Sequence, residues 1–596
     1  MSRTKNILTG SIRFSGDGIY LVEKKRGVKR IADPIQVTAF GTSEPASARE
    51  LAYTAVEFLD REGERKKVII PSSMLVSEHM EFVALLAGRG YLWPPTRSLW
   101  HKIIGELSIV KPVRRIRVTP VPGCHGDSYV LPGESYTPKG PDRNHFELCH
   151  NPTVRLGEFR RSGTLKKWKK HIAKACIHSS RSRLAVAAVF AAPNLRLLNI
   201  NSFGLNFSGM TSAGKTLIIR SAGSAAGLNS SEGPTTWDGS AAGFEQRALG
   251  HRDSVVLFDD MSHLDQPDLA KLVTFRLAGN RPKAKAGQYV TANNLVDLDW
   301  RVIALSTSEN PIWQHLTKSG RGRVRGEQVR MINVRACVSD KGDIFDGAKA
   351  DERVGSTLEE RLDFVEKLEK RTQDYQGEAY RTYLAKRFAD KGAEATLTSY
   401  MAQFLEAAVL PEQLRWLGRI RKFFAVVYAS AAQAIDYGVL PWRKRATLKT
   451  ILSCMTDAMD QLTATFPDTT DGVEPNKSDD LLLAEFKRRV ENANFVRIGP
   501  NRRKSQSKKS RLKNADGFVQ PTGPGRVRYL LCSKTLETWF PDVTTRKHLA
   551  ALLRSLGILK PGRRSDTSTR QISIAPLKKR VSCYVLLRKR IGKSCS

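Results

Sequence analysis

Gly209-Met-Thr-Ser-Ala-Gly214-Lys215-Thr216 satisfies the spacing GxxxxGK[ST]. In that pattern glycines let backbone N–H groups close around phosphate oxygens. The lysine reaches the β- and γ-phosphates, and the final hydroxyl binds Mg²⁺. Gly209, Thr211, Ser212, Ala213, Gly214, Lys215, Thr216 and Leu217 are therefore the expected ATP contacts. A phosphate loop also needs a carboxylate for the metal and a base to orient water. The run SVVLFDD (Ser254 to Asp260) offers both. Asp259 is the expected Mg²⁺ partner alongside Thr216, and Asp260 stands where a catalytic Glu usually does. The alternative is that both acids cap the next helix, MSHLDQPDLAKLV.

A further apolar strand, RVIALST, ends in Ser306 and Thr307, either of which can sense the γ-phosphate and the attacking water. After it, GRGRVRGEQVRMINV carries Arg321, Arg323, Arg325 and Arg330. An arginine acting in trans would stabilise charge on a neighbour's γ-phosphate. Arg330 is preferred because it directly precedes the apolar MINV, with Arg325 second. Between the second and third strands, FRLAGNRPKAKAGQYVTANN is Gly-rich and basic. In ring helicases this interval carries a pore hairpin, which makes Lys283 and Lys285 candidate DNA-backbone contacts. Cys149, His150, His171, Cys176 and His178 cluster in sequence but match no zinc spacing.

These residues need elements to hold them. Residues 1–150 read as an α+β domain: GIYLVEK, KKVIIP and DSYVLPG as strands, SARELAYTAVEFLDREG and SEHMEFVALLAGRG as helices ending at Gly. Residues 151–345 alternate buried strands and helices, the pattern of a parallel α/β sheet. Residues 346–465 are helical, with IRKFFAVVYASAAQAIDYGVLPW apolar around most of its circumference. Residues 466–515 form a polar linker and a basic arm, NRRKSQSKKSRLK. In residues 516–596 a helix, TTRKHLAALLRSLG, precedes a hairpin, the order of a winged helix. Arg502, Arg503, Lys504, Lys508, Lys509, Arg546 and Lys547 are the expected DNA contacts there.

The chain has 596 residues, with 97 Lys and Arg against 59 Asp and Glu, a net charge of +38. From Arg497 to Ser596 there are 25 basic residues and four acids, a net +21. Such charge points to a polyanion. The longest apolar stretch, Leu184 to Ala192, is about half what a bilayer needs, so nucleic acid is expected before membrane. Eight scattered cysteines without a CxxC pair, and no apolar leader, suggest reduced thiols in a cytoplasm.

Several segments resemble the domain of unknown function 927 family, AAA+ ATPases of mobile elements and prophages often described as helicases. They are GCHGDSYVLP, GMTSAGKT, TTWDGSAAGFEQRALGHRDSVVLFDDMSHLD, FRLAGNRPKAKAG, WRVIALSTSEN, GEQVRMINV and FFAVVYASAAQAIDYGVLPW. The family usually has Asp-Glu where this chain has Asp259-Asp260, and Gly where Ser308 stands. The resemblance implies an α/β AAA+ P-loop core with an N-terminal α+β domain, a helical lid and a C-terminal winged helix. It also implies a self-loading, MCM-like hexameric ring with ATP at subunit interfaces. The expected function is ATP-dependent DNA translocation or unwinding in replication of a mobile element or prophage, on single-stranded or forked DNA, beside a partner primase or replication protein. An ATP-switched DNA-binding initiator or regulator with little unwinding is the alternative.

Overall fold

Apolar runs too continuous to expose either face make the centre of this protein. In the computed structural model the described residues are 11–23, 27–43, 51–142, 146–151, 154–210, 214–230, 235–261, 267–282, 298–311, 329–339, 341–347, 349–410, 417–465, 477–498, 512, 514–523, 526–556, 558–560, 569–574 and 579–587. They divide into two compact units, Met1–Phe466 and Pro467–Ser596. No helix of the described residues is long and apolar enough to cross a membrane.

The first unit begins with a three-stranded sheet, β1 (Ser11–Ser15), β2 (Gly18–Glu23) and β3 (Gly27–Ala32). A five-stranded sheet follows, built from β4 (Ile35–Ser43), β5 (Ala52–Leu59), β6 (Arg65–Pro71), β7 (Arg115–Thr119) and β12 (Phe146–Leu148) in the order β12-β7-β4-β5-β6. Helices α1 (His79–Ala87) and α2 (Arg97–Ile109) pack on it through Phe82, Leu86, Ile103, Ile104 and Leu107. The short strands β8 (Gly123–His125), β9 (Ser128–Leu131), β10 (Glu134–Thr137) and β11 (Gly140–Asp142) form an antiparallel meander.

One expectation fails here. Within SARELAYTAVEFLDREG, read as a helix, Ala52–Leu59 is the strand β5, paired antiparallel to β4 and β6. Tyr53, Thr54, Val56 and Phe58 are residues that favour a pleated surface. Burial of both faces gives β5 a continuous apolar look that imitates helical spacing over eight residues.

The heart of the unit is a four-stranded parallel sheet: β13 (Phe203–Ser208), β14 (Val255–Phe258), β15 (Ile303–Ser308) and β16 (Met331–Arg335), ordered β14-β15-β13-β16. The three strands read from sequence are all present. β15, last of the three in sequence, lies between the other two. An isolated parallel bridge, Thr236 to Asp259, extends the outer edge beyond β14.

Helices cover both faces. On one side α4 (Ser180–Ala191), α5 (Lys215–Ala226) and α11 (Gly418–Asp436) bury Phe203, Leu205, Leu305 and Ile332; Phe203 stacks on Phe423 with ring centroids 4.2 Å apart. On the other, α6 (Ala241–Gly250) and α7 (Pro267–Gly279) pack with Trp237 and Trp300 against Val256, Phe258 and Ala304. The short helix α3 (Leu165–Trp168) contributes the buried Trp168. The expected helical region is α8 (Leu358–Asp374), α9 (Glu378–Ala389), α10 (Ala393–Ala407), α11 and α12 (Lys444–Thr465). The start of α8 is a capping box of Thr357 and Glu360.

A buried carboxylate ties these parts together. Asp253, fully buried with φ 56°, precedes β14. Its oxygens accept from Arg196 Nη2 (3.0 Å) and from the Cys124 backbone N–H (2.9 Å), with Arg252 Nη1 at 3.5 Å. Arg196 and Arg252 also hold Asp299, at 2.7 and 3.2 Å. Burial disfavours that carboxylate, but the two guanidiniums keep its pKa below the ordinary range. Gly123, φ 98°, approaches so closely that an added Cβ would lie 2.6 Å from the Arg252 carbonyl oxygen, which explains glycine at that place in GCHG. Tyr129 donates to the Asp253 carbonyl (3.0 Å) and meets Tyr380 of α9 hydroxyl to hydroxyl (2.8 Å).

The second unit has α13 (Lys477–Glu491), then β17 (Phe495–Arg497), β18 (Gly517–Gly523) and β19 (Arg526–Cys532). Next come α14 (Ser533–Trp539), α15 (Val543–Ser555), β20 (Leu559–Lys560), β21 (Arg570–Ile574) and β22 (Lys579–Leu587). β21 and β22 are the expected antiparallel pair after the expected helix, and β22 also joins β19 and β20.

Replacing Asp253 with Ala leaves Arg196 and Arg252 only Asp299 and orphans the Cys124 N–H, and should lower unfolding stability by about 3 kcal/mol, read by urea denaturation. A second outcome concerns pH. Burial depresses His251 to about 4, while its Nδ1 sits 2.9 Å from the Arg247 carbonyl. The native state therefore keeps this imidazole neutral where an unfolded chain, with pKa near 6.5, binds a proton. The contribution is complete above pH about 6.5 and is lost as pH falls toward 4. His251→Phe should flatten that part of a thermal-melt profile.

Candidate nucleotide-binding and active site

All four parallel strands deliver their C-terminal ends to one edge, the edge where crevices form in open α/β sheets. β13 runs directly into Gly209, and α5 starts at Lys215 after Gly214, whose φ of 91° is left-handed. Ile344 lies 3.2 Å from where a Gly214 Cβ would be. Thr211, Ser212 and Ala213 lie outside the described residues. The N-terminal turn of α5 supplies unpaired N–H groups and the positive end of a twelve-residue helix. Leu217, buried with Ile218 and Ile219, anchors that turn in the core.

Lys215 folds back over the loop, donating from Nζ to the carbonyls of Gly209 (2.7 Å) and Met210 (2.6 Å). Its ammonium thus lies at the loop mouth. Thr216 Oγ1 donates to Asp259 Oδ2 at 3.1 Å. The other oxygen of Asp259 accepts from Thr307 Oγ1. Thr307 Oγ1 in turn accepts from the Asp260 backbone N–H at 2.9 Å. That N–H also approaches Asp259 Oδ1 at 3.2 Å. On the outer side, the Asp259 N–H donates to the Thr235 carbonyl at 2.7 Å. The structure thus gathers Lys215, Thr216, Asp259, Asp260 and Thr307 at one place. Asp260 has φ 45°, a left-handed turn that ends the strand.

A hydroxyl and a carboxylate side by side are hard oxygen donors, which suits Mg²⁺ completed by waters and phosphate oxygens. The donor chemistry of Thr216 and Asp259 therefore fits the expected metal. Cys337 also lines the loop: an added Cβ on Gly209 would lie 2.7 Å from its sulfur. Burial raises the pKa of that thiol.

Ser306 and Thr307, left open by the sequence, part company in the structure. Adjacent strand residues face opposite ways. Ser306 is fully buried, accepting from Trp237 Nε1 at 2.8 Å, while Thr307 reaches Asp259. Arg330 lies at the other end of the sheet: its carbonyl accepts from the Gly204 N–H (2.7 Å), near the start of β13. The intervening strand spans about 15 Å. Its guanidinium lies 4.9 Å from the centre of the Phe275 ring.

Lys283, Lys285, Arg321, Arg323, Arg325, Arg502, Arg503, Lys504, Lys508 and Lys509 lie outside the described residues. In the second unit, Arg546 donates to the carbonyls of Phe540 and Pro541, both at 2.7 Å, and so closes the turn before α15. Lys547 is exposed.

Behind the site runs a polar thread that sequence reasoning missed. Asn206 Nδ2 donates to Ser308 Oγ (2.8 Å) and Asn333 Oδ1 (3.0 Å). Asn333 Nδ2 donates to Ser208 Oγ (2.9 Å) and to Gln461 Oε1 of α12 (2.7 Å). The signal was present: Asn206 is the one polar side chain before Ser208 in FGLNFS, a strand buried at every position.

Residues 13–294 match the family model described as Domain of unknown function (DUF927). A solved structure titled "SCCmec type IV Cch - active helicase" is similar over 97% of this chain and 98% of that chain, with TM-score 0.54 and 15% identity. At that identity the likeness is one of fold. "The A form apo structure of NrS-1 C terminal region-CTR" matches 67% of this chain and 87% of its own at 12% identity, with TM-score 0.22. A search of curated proteins gave no match.

The two hydroxyls of β15 should separate experimentally. Thr307→Val removes the hydroxyl that joins Asp259 to the Asp260 backbone, and should cut the turnover of any nucleotide hydrolysed at this site by about tenfold or more. Ser306→Ala should cost about 1–3 kcal/mol of stability by leaving the buried Trp237 N–H unpaired. Steady-state turnover and denaturant melts on both variants are the check.

Proposed function

We propose that this chain is a Mg²⁺-dependent ATPase of AAA+ type that moves along or unwinds DNA as a ring. The observation that carries the proposal is the double attachment of Asp259, to Thr216 of the phosphate loop and to Thr307 of the inserted strand. One carboxylate there joins the residue that would ligand the metal to the residue that would sense the γ-phosphate. In this reading Lys215 and the N–H groups at the start of α5 bind the β- and γ-phosphates. Thr216 and Asp259 would hold Mg²⁺, which would supply neutralising charge to the phosphates. Asp260 orients the attacking water, and Thr307 fixes the Asp260 backbone and so the carboxylate's origin.

Arg330 cannot serve the loop of its own chain from the far end of the sheet, which favours action on a neighbour's γ-phosphate. Assembly into a ring, with a hexamer as the expected size, is part of the same reading. DNA is the proposed partner because charge is concentrated in the second unit. That unit's helix-then-hairpin order, α15 followed by β21 and β22, supports a winged-helix reading. The helicase described for the structure of similar fold is consistent with a motor that acts in mobile-element replication.

A second reading is an ATP-switched DNA-binding initiator with little unwinding. It is favoured by one observation. Asp260 is a methylene shorter than the usual Glu, on a backbone already committed to Thr307.

Lys215→Ala should abolish ATP hydrolysis. Arg330→Ala should reduce it by about 10³-fold or more while leaving ATP binding intact. Mixing the two variants should restore a fraction of wild-type turnover, because the Arg330→Ala subunit has a sound phosphate loop and the Lys215→Ala subunit a sound arginine. Wild-type turnover in either single variant would overturn the assignment. Strand displacement on a forked duplex distinguishes a motor from a switch.

A further inference from the structure

Strand β7 carries Arg115 and Arg117 two residues apart, both exposed, while Ile116 and Val118 between and after them are buried on the opposite face. Pairing register puts Phe40 of β4 beside Arg115 and Phe146 of β12 beside Arg117, all on one face of the five-stranded sheet. The Arg115 guanidinium carbon lies 4.7 Å from the Phe40 ring centre, and that of Arg117 lies 5.7 Å from the Phe146 ring centre. Each guanidinium is thus laid against an aromatic ring, with its outer side turned to solvent. Among the described residues neither is paired with a carboxylate.

Helices α1 and α2 cover the other half of this face, over Val56, Phe58, Val68 and Ile70, and stop short of β7. From the last residue of α2 to β7 the chain displays Lys111, with Ile109 68%, Val110 44% and Val113 98% exposed. Arg114, next to Arg115, pairs with Glu147 at 3.2 Å. The stripe is therefore cationic and planar, with an apolar rim.

A structural salt bridge would need a facing acid, which neither arginine has among the described residues, and simple solvation would not need the rings. Cations at alternate strand positions recur about every 6.6 Å, a spacing that follows an extended polyanion. Flat guanidiniums and apolar side chains offer stacking surfaces for unpaired bases, which a duplex hides inside itself.

We propose that the β7 half of this sheet face binds single-stranded nucleic acid, with Arg115, Arg117 and Lys111 on the phosphates and bases stacked on the guanidiniums and against Val113. This site uses residues other than the basic arm, Lys283 and Lys285. It also does not depend on ATP hydrolysis.

The test uses the full chain without nucleotide and a fluorescein-labelled oligo(dT), read by anisotropy across a salt series, with a duplex of equal length alongside. R115E/R117E should weaken oligo(dT) binding at least tenfold and lower its salt slope by about one to two. Duplex binding should change less, and DNA-independent ATP hydrolysis and melting temperature should stay at the wild-type values. If that variant fails to fold, R115Q and T42E carry the same comparison. Independently, oligo(dT) containing 5-iododeoxyuridine should photo-crosslink the unmodified protein within residues 36–43 or 109–119. Unchanged affinity in the variants, or crosslinks confined to other peptides, overturns the proposal. So does V113E shifting the mass seen by light scattering with no effect on oligo(dT), since the face would then be a protein contact.

Discussion

The burial of Asp253 is the constraint on which the first unit turns. A carboxylate taken out of water is tolerated only with partners that replace its hydration, and here those partners come from distant stretches. Arg196 follows α4, Arg252 and Asp253 precede β14, Asp299 precedes β15, and Cys124 belongs to the meander. Satisfying one charge fixes the approach to two strands, and with them where Asp259 and Thr307 emerge at the opposite edge. The meander that carries GCHGDSYVLP thus serves as a clamp on the sheet, and its Tyr129 passes the clamp on to α9.

At the other end of the strands, a carboxylate must stay accessible while being aimed. Asp259 is aimed by two hydroxyls and by its own backbone, held at the edge by Thr235. The inserted position of β15 makes this possible, because it places the end of one strand between the phosphate loop and the acid. The polar thread of Asn206, Ser308 and Asn333 lies just beneath, fixing the register of three strands where apolar packing alone would allow slippage.

What the sequence made legible was local. The phosphate loop, its strand and helix, and the acids closing SVVLFDD are contiguous patterns whose chemistry dictates their spacing. The same holds for α8, whose Thr357 and Glu360 announce its start. What was not legible depended on partners far along the chain. Arg196 meets Asp299 across 103 positions, and nothing in either neighbourhood announces it. β5 looked helical because its surroundings bury both faces, a fact that belongs to β4 and β6 more than to its own residues. Ser306 and Thr307 could be told apart only once a tryptophan some 70 positions earlier was seen to claim one of them.

Helix α12 has a mechanical meaning. Its Asp457 takes Arg181 at 2.9 Å and Arg335 at 2.6 Å, and its Gln461 takes Asn333 at 2.7 Å. The first two side chains to grip it stand on α4 and at the end of β16, beside the phosphate loop's own strand. A helix riveted at two successive turns cannot swing freely; it tilts only as the sheet tilts. The chain leaves this helix at Thr465, and the second unit begins at Pro467. Through Arg335 and Asn333 the last turns of this 22-residue helix become part of the edge of the sheet itself. Its hold on the sheet is anchored by the buried ion pair of Arg181 and Asp457.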